Sequence, residues 1–272
     1  MNFTNLKSFF SAITFALILA SCTQVIDIST NAPTPQLVVE SSIALNEYAK
    51  VILSKSITLS ESNNFKMVTN AVVKMTDSSG NTEILTEISN GIYVSKTMKG
   101  EVGKTYSLRI ESEGKTVTAL SKIPPIIPID SFTVINSIFP GGGPPRGNQP
   151  APFYEVNIKY TDPADQQNFY RIITYYNGEI QSRNNIFDDR FNNGKQTEAN
   201  LIIFKDSAKM GDTIRIEMLC IDKPVFNYFQ SMGSAGGPGG SSSPANPYTN
   251  LNGAILGYFS AHTVERREWV KK

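Results

Sequence analysis

Cysteine, histidine and tryptophan are nearly missing from this 272-residue chain, which holds two, one and one of them respectively. Two cysteines, Cys22 and Cys220, cannot supply the thiols of a zinc site, and a lone His262 cannot build a histidine-rich metal centre. A surplus of either charge is missing too: 25 Lys and Arg face 24 Asp and Glu. That balance steers the chain toward neither nucleic acid nor an anionic membrane face. Long hydrophobic runs are also absent. A bilayer-spanning helix takes about 20 apolar residues, whereas the run Phe9 to Ala20 has twelve positions and is interrupted by Ser11 and Thr14.

The end of that run is informative. Leu19-Ala20-Ser21-Cys22 reads as a lipobox: an aliphatic residue, two small ones and a cysteine behind a short apolar stretch, with Lys7 as a thin positive n-region. A transferase adds a diacylglyceryl group to the Cys22 thiol, and a peptidase with room only for small side chains cuts before it. Residues 1–21 are therefore expected to be a lipoprotein signal peptide, and Cys22 the lipidation site and first mature residue. The competing reading, an ordinary secretory signal with an incidental cysteine, leaves the placement of Cys22 unexplained. Acyl chains contribute about 0.8 kcal/mol per buried methylene, so a multiply acylated cysteine holds a membrane without help from the protein. Cleavage removes Lys7 and leaves basic and acidic side chains equal at 24 each. With Cys22 lipidated, Cys220 stands alone and no intramolecular disulfide can form.

Residues 22–36, with Pro33 and Pro35, read as a lipidated tether that lifts the folded part off the membrane. Its one apolar patch, Val25-Ile26-Asp27-Ile28, either stays in the tether or adds an edge strand. From 37 to 124 the pattern turns to short strands, among them Leu37 to Glu40, Val51 to Leu53, Ala71 to Met75, Ile92 to Val94 and Val117 to Leu120. In Thr105 to Ile110, Tyr106, Leu108 and Ile110 take one face and Thr105, Ser107 and Arg109 the other, as in a strand with one buried side. Asp77-Ser78-Ser79-Gly80-Asn81 and Glu113-Gly114 supply hairpin chemistry. About seven such strands in roughly ninety residues predict an immunoglobulin-like or prealbumin-like β-sandwich. Pro124, Pro125 and Pro128 then break the pattern and mark a semi-rigid boundary.

Residues 129–272 are expected to form a second β-sandwich. Strands are predicted over Ile129 to Phe139, Tyr154 to Tyr160, Phe169 to Tyr176, Ala199 to Phe204 and Thr213 to Ile221. Cys220 shares a face with Ile214, Ile216 and Met218, as an inert core thiol would. Lys223 to Met232, with Pro224 in its first turn, is the one short helix expected. Two stretches rich in Gly, Pro and Ser, 140–152 and 233–247, read as loops that lack the means to bury themselves. Leu251 to Ala261 is expected to be a buried strand in which Gly253 and Gly257 let another backbone or ring come close.

Motifs for chemistry fail on their context. Gly103-Lys104-Thr105 and Gly114-Lys115-Thr116 lack the upstream glycine of a phosphate loop and lead into strands. Ser112-Glu113-Gly114-Lys115 has the serine-lysine spacing of penicillin-interacting enzymes without the accompanying motifs. Gly237-Pro238-Gly239 follows no strand, so it is no dinucleotide fingerprint. Asp188, Asp189, Asn192 and Asn193 offer oxygens without calcium-loop spacing, and Asp162 and Asp165 fit a turn around Pro163 better than a catalytic pair. His262 reads as structural or surface. Trp269, Tyr175 and Tyr176 are candidates for an aromatic binding platform, with packing as the alternative.

The ordered set Leu37-Val38-Val39-Glu40, Asn70-Ala71-Val72-Val73, Gly91-Ile92-Tyr93, Gly103-Lys104-Thr105-Tyr106, Ile129-Asp130-Ser131, Asp162-Pro163, Asn168-Phe169-Tyr170-Arg171 and Asn246-Pro247 through Leu256-Gly257-Tyr258-Phe259-Ser260-Ala261 resembles the domain of unknown function 4249 family. The resemblance spans the chain beyond the leader. It implies a lipoprotein of a Bacteroidota cell envelope, in a family often encoded beside TonB-dependent outer-membrane receptors and without an established activity. It assigns no catalytic, cofactor or metal residues. The two glycine-rich stretches look longer than the family's usual loops. Thr23, in place of an aspartate behind the lipidated cysteine, favours the outer membrane, on either of its faces.

The expectation is thus an all-β lipoprotein of two sandwich domains, 37–124 and 129–272, with one short helix. Its only predicted site is Cys22, and its partners are the membrane, through that anchor, and a TonB-dependent receptor that it serves as a non-enzymatic accessory or ligand-presenting subunit. The alternative is a stand-alone envelope binder of glycans or peptides, working at a rim between the domains. An enzyme ranks third.

Overall fold

A computed structural model describes residues 34–57, 65–139, 151–205, 209–235, 246–253 and 255–272. The leader, Cys22 and the tether through 33 lie outside these, as do 140–150 and 236–245 of the two glycine-rich stretches. Among the described residues the fold is all-β with one helix, as the patterning predicts.

The first half of the chain supplies β1 (Leu37–Ala44), β2 (Tyr48–Lys55), β3 (Val72–Asp77), β4 (Thr82–Ile84), β5 (Thr86–Ser89), β6 (Ile92–Lys99), β7 (Thr105–Ser112) and β8 (Lys115–Lys122). The second supplies β9 (Ile129–Phe139), β10 (Ala151–Thr161), β11 (Phe169–Tyr176), β12 (Glu179–Asp188), β13 (Gln196–Phe204), β14 (Thr213–Ile221), the helix α1 (Lys223–Ala235), β15 (Leu251–Asn252) and β16 (Leu256–Val270). Alternation decides which side chains go inward. Tyr106, Leu108 and Ile110 of β7 are fully buried, as are Tyr154, Val156 and Ile158 of β10, because period-two spacing places each trio on one face.

The strands form sheets of eight (β12-β11-β14-β16-β1-β2-β6-β5), five (β15-β8-β7-β3-β4) and three (β13-β10-β9). Two cores result. One gathers β1, β2, β3, β7 and β8 with Leu251, Ile255, Phe259 and Ala261; the other gathers β10, β11, β13 and β14. The proline segment plants one isoleucine in each, Ile123 in the first and Ile127 in the second.

β16 joins the halves. Its first part pairs in parallel with β1, from Val38 opposite Leu256 to Ala44 opposite His262. Its second part runs antiparallel to β14, from Cys220 opposite Thr263 to Thr213 opposite Val270. Residues 251–261, which follow the second half in sequence, therefore complete the first core. Gly257 makes the parallel pairing possible: its φ is 106°, and a Cβ there would sit 1.9 Å from the Val39 carbonyl oxygen, an approach open only to glycine.

The helix lies on the outer face of the long sheet, where Val225, Phe226 and Phe229 cover Phe169, Leu219 and Ile221. Arg171, nearly buried, lies under it with its guanidinium carbon 3.7 Å from the Phe229 ring centroid. Among the described residues, no helix is long and apolar enough to cross a membrane.

Candidate functional site

Where the halves meet, the ends of β8 and β14, the start of β11 and the first turn of α1 enclose a half-open cleft of about 200 Å³. Lys122, Pro125, Gln166 and Lys223 stand at its mouth, and Asn168 and Phe169 line it deeper in. Clefts at junctions between packed units are the usual places for small ligands, but pockets for drug-sized molecules start near 300 Å³. This one has room for a single small group.

Asp222 organises its wall. One carboxylate oxygen accepts the Val225 amide at 3.1 Å, the N-cap that starts α1. The other accepts the Ser121 hydroxyl at 2.7 Å and the Lys122 amide at 3.1 Å. Ser121 Oγ in turn accepts the Ala261 amide at 2.8 Å, so a single carboxylate ties β8, the helix and, through Ser121, β16. Burial pushes the Asp222 carboxyl above its ordinary range against these hydrogen bonds. Asn168 is 4% exposed; its backbone amide donates to Asp189 Oδ2 at 2.7 Å, and its side-chain Oδ1 is buried with no partner among the described residues. An unpartnered buried carbonyl oxygen is uncommon.

The oxygens considered for calcium do not converge. Asp188 pairs with Arg190 at 2.8 Å, Asp189 accepts Asn168, and Asn193 Nδ2 reaches the Ala164 carbonyl at 3.5 Å. Asp162 accepts the Tyr170 hydroxyl and, at 3.3 Å, the Gly194 amide, while Asp165 is exposed in the turn. Among the described residues, no group of three or more His, Cys, Asp or Glu could hold a metal ion. Cys220 is buried, and burial pushes its thiol up to about 11. Burial, with the Arg171 charge nearby, brings His262 down to about 4, its Nδ1 lying 3.0 Å from Ser260 Oγ.

The three aromatic candidates form no platform. Trp269 and Tyr176 pack into the second core on either side of Tyr154, with ring centroids 5.5 and 6.0 Å from it. Tyr175 faces the other way, donates to Glu217 at 2.8 Å and lies under Arg215 at 4.1 Å.

The chain matches the family described as Domain of unknown function (DUF4249) over residues 23–268. It belongs to this family. No curated protein matches it significantly. Several residues that carry the DUF4249 resemblance meet at the seam between the halves. Gly257 admits Val39, and Asn168-Phe169 line the cleft.

A second polar cluster of this DUF4249 chain went unread in the sequence. Lys205, 7% exposed, places Nζ 2.9 Å from the Tyr154 ring centroid and 2.6 Å from Asn136 Oδ1. Burial, then the nearby Lys271 charge, brings its amine down to about 8. Tyr154 donates to Asp212 at 2.8 Å. Asp212 is pushed up by burial, yet the Lys209 amide, Tyr154 and Asn177 hold it at about 2. The signal was available: the inward phase Ala199, Leu201, Ile203 of β13, carried one step past the strand, lands on Lys205.

Proposed function

We propose that the chain is an outer-membrane lipoprotein, anchored through Cys22, that serves as a non-enzymatic accessory or ligand-presenting subunit of a TonB-dependent transport system. The observation that carries this reading is the lipobox, set before a body whose core thiol, lone imidazole and cleft carboxylate are engaged in structure. Cys220 is a core thiol held protonated, His262 is held neutral, and Asp222 caps a helix while tying β8 to β14. β16, shared by both sandwiches, supports a presenting role because it holds the cleft and the outer faces in one fixed relation. The test is purification of the protein from its native membrane with identification of the co-purifying chains. A TonB-dependent receptor is expected at reproducible stoichiometry; its consistent absence contradicts the proposal.

The junction cleft favours a second reading, a stand-alone envelope binder of one unit of a glycan or peptide. Its buried Asn168 Oδ1, without a partner among the described residues, suits a ligand that donates a hydrogen bond. Saturable binding of such a ligand by receptor-free protein, lost in Asn168→Ala, would decide for it.

A further inference from the structure

The outer face of the three-stranded sheet carries a group of exposed apolar side chains. Antiparallel register sets Ile135, Glu155 and Ile202 side by side across β9, β10 and β13, with Phe153 opposite Phe204 one step along the same face. Ile135, Ile202 and Phe204 are 53%, 51% and 61% exposed, and the Phe153 and Phe204 rings lie 6.4 Å apart. A contiguous apolar group of this kind on a folded surface marks an interaction site. At its centre stands Glu155, half-buried, with no hydrogen-bond or ion-pair partner among the described residues.

The central carboxylate selects what can cover the patch. A purely apolar partner would strip water from an unpaired charge, which is costly. A second copy docked about a two-fold axis would set Glu155 against its own counterpart, a like-charge contact. A lipid surface would likewise have to accept a carboxylate amid the inserted apolar groups. A protein surface with an arginine or lysine set among apolar side chains meets both requirements, burying the isoleucines and phenylalanines while pairing Glu155.

We propose that the outer face formed by Ile135, Phe153, Glu155, Ile202 and Phe204 is the docking surface for a different protein that presents a cation within an apolar patch. This rests on the accessory reading above and names the face through which the accessory would meet its partner.

The test uses full-length lipoprotein in its native membrane with a photo-crosslinking residue at position 202, and at position 84 as a control, since Ile84 is 64% exposed on β4. Cross-linked peptides are identified by mass spectrometry. Expected are adducts at least tenfold more abundant at 202 than at 84, to a peptide of another protein holding Arg or Lys among apolar residues. Glu155→Arg should abolish them, Glu155→Gln should weaken them several-fold, and reversing the partner's cation to Glu should restore them in Glu155→Arg. Melting temperatures of both variants, expected unchanged, separate lost docking from lost folding. Equal yields at the two positions, adducts to a second copy or to lipid, or indifference to Glu155→Arg would overturn the proposal. Should a receptor co-purify yet cross-link only elsewhere, this surface fails and the accessory role stands. A cation-bearing partner that is no receptor would leave the surface standing and the transport reading contradicted.

Discussion

Asn250 pairs with the backbone of Phe259 as a strand would: the Phe259 amide donates to Asn250 Oδ1 at 3.0 Å, and Asn250 Nδ2 donates to the Phe259 carbonyl at 2.7 Å. Among the described residues, the first part of β16 has β1 on one side and no strand on the other. That open edge is closed by side chains: Thr249 Oγ1 donates to the Gly257 carbonyl at 2.6 Å, and Ser121 Oγ accepts the Ala261 amide at 2.8 Å. Because Phe259 is fully buried, its backbone groups need these substitutes.

Asn250→Ala should therefore leave a buried amide and carbonyl without partners. At about 1–3 kcal/mol for each, an overall loss of roughly 2–6 kcal/mol is expected from urea denaturation. Asn250→Asp keeps the acceptor and removes the donor, and should fall between Asn250→Ala and the parent.

Gly257→Ala should be among the most damaging single changes to the seam. The new Cβ would press on the Val39 carbonyl in a backbone conformation that L-residues rarely adopt. A loss of about 4 kcal/mol or more is expected. Gly80→Ala is the control: its φ is 89° and nothing lies within 4 Å of its added Cβ, so only the backbone term applies, roughly 1–2 kcal/mol. Similar losses for the two would contradict the close approach of β1 to β16.

Acid stability should hinge on Asp77 and Asp212. Burial raises the Asp77 carboxyl, but Asn81, Lys104 and the amides of Asn81 and Ser79 outweigh it and hold it at about 2; Asp212 is held at about 2 in the same manner. The ordinary value is 3.8. A carboxyl depressed in the folded state contributes stability that is complete above its unfolded value and is lost as pH falls through its folded one. Urea midpoints should drop between about pH 4 and pH 2, and Asp77→Asn with Asp212→Asn should flatten that drop.

Lys205 predicts a slope of the same sign in alkali. Its folded value of about 8 lies below the ordinary 10.5, so in that window the unfolded chain binds more protons and stability rises with pH. The rise should be visible from pH 8 to about 10, above which the buried tyrosines Tyr154, Tyr160 and Tyr170, all pushed up by burial, begin to oppose it. Lys205→Met should remove the rise. A parent protein with flat stability across that window would contradict a desolvated Lys205.

Strands with a clean alternation were legible from sequence: β14 falls on its predicted residues and β7 starts at its predicted Thr105, running past Ile110 to Ser112, because period two and a buried face coincide. β12 was not, since Glu179 to Asp188 is mostly polar and lies at a sheet edge, where little burial imprints a pattern. Helix α1 begins at the predicted Lys223 and runs to Ala235. The reach of β16 to Val270 was hidden for another reason. Beyond His262 it reads Thr263, Val264, Glu265, Arg266, Arg267 and Glu268, and these pair with β14 in a register set by a partner far away in the chain. The cleft follows from that register, so Asn168 and Asp222 could not be joined by inspection of either segment. The phenylalanines, isoleucines and glutamate of the exposed face were each visible, but only the three-strand register sets them side by side.

The anchor is the claim on which location and role both depend, and the mass of the amino-terminal peptide of protein taken from its native membrane tests it most directly. The account predicts a chain that begins at Cys22 and carries the added mass of diacylglycerol, with or without a further acyl group. An unmodified Cys22, or a chain that still holds residues 1–21, would contradict it.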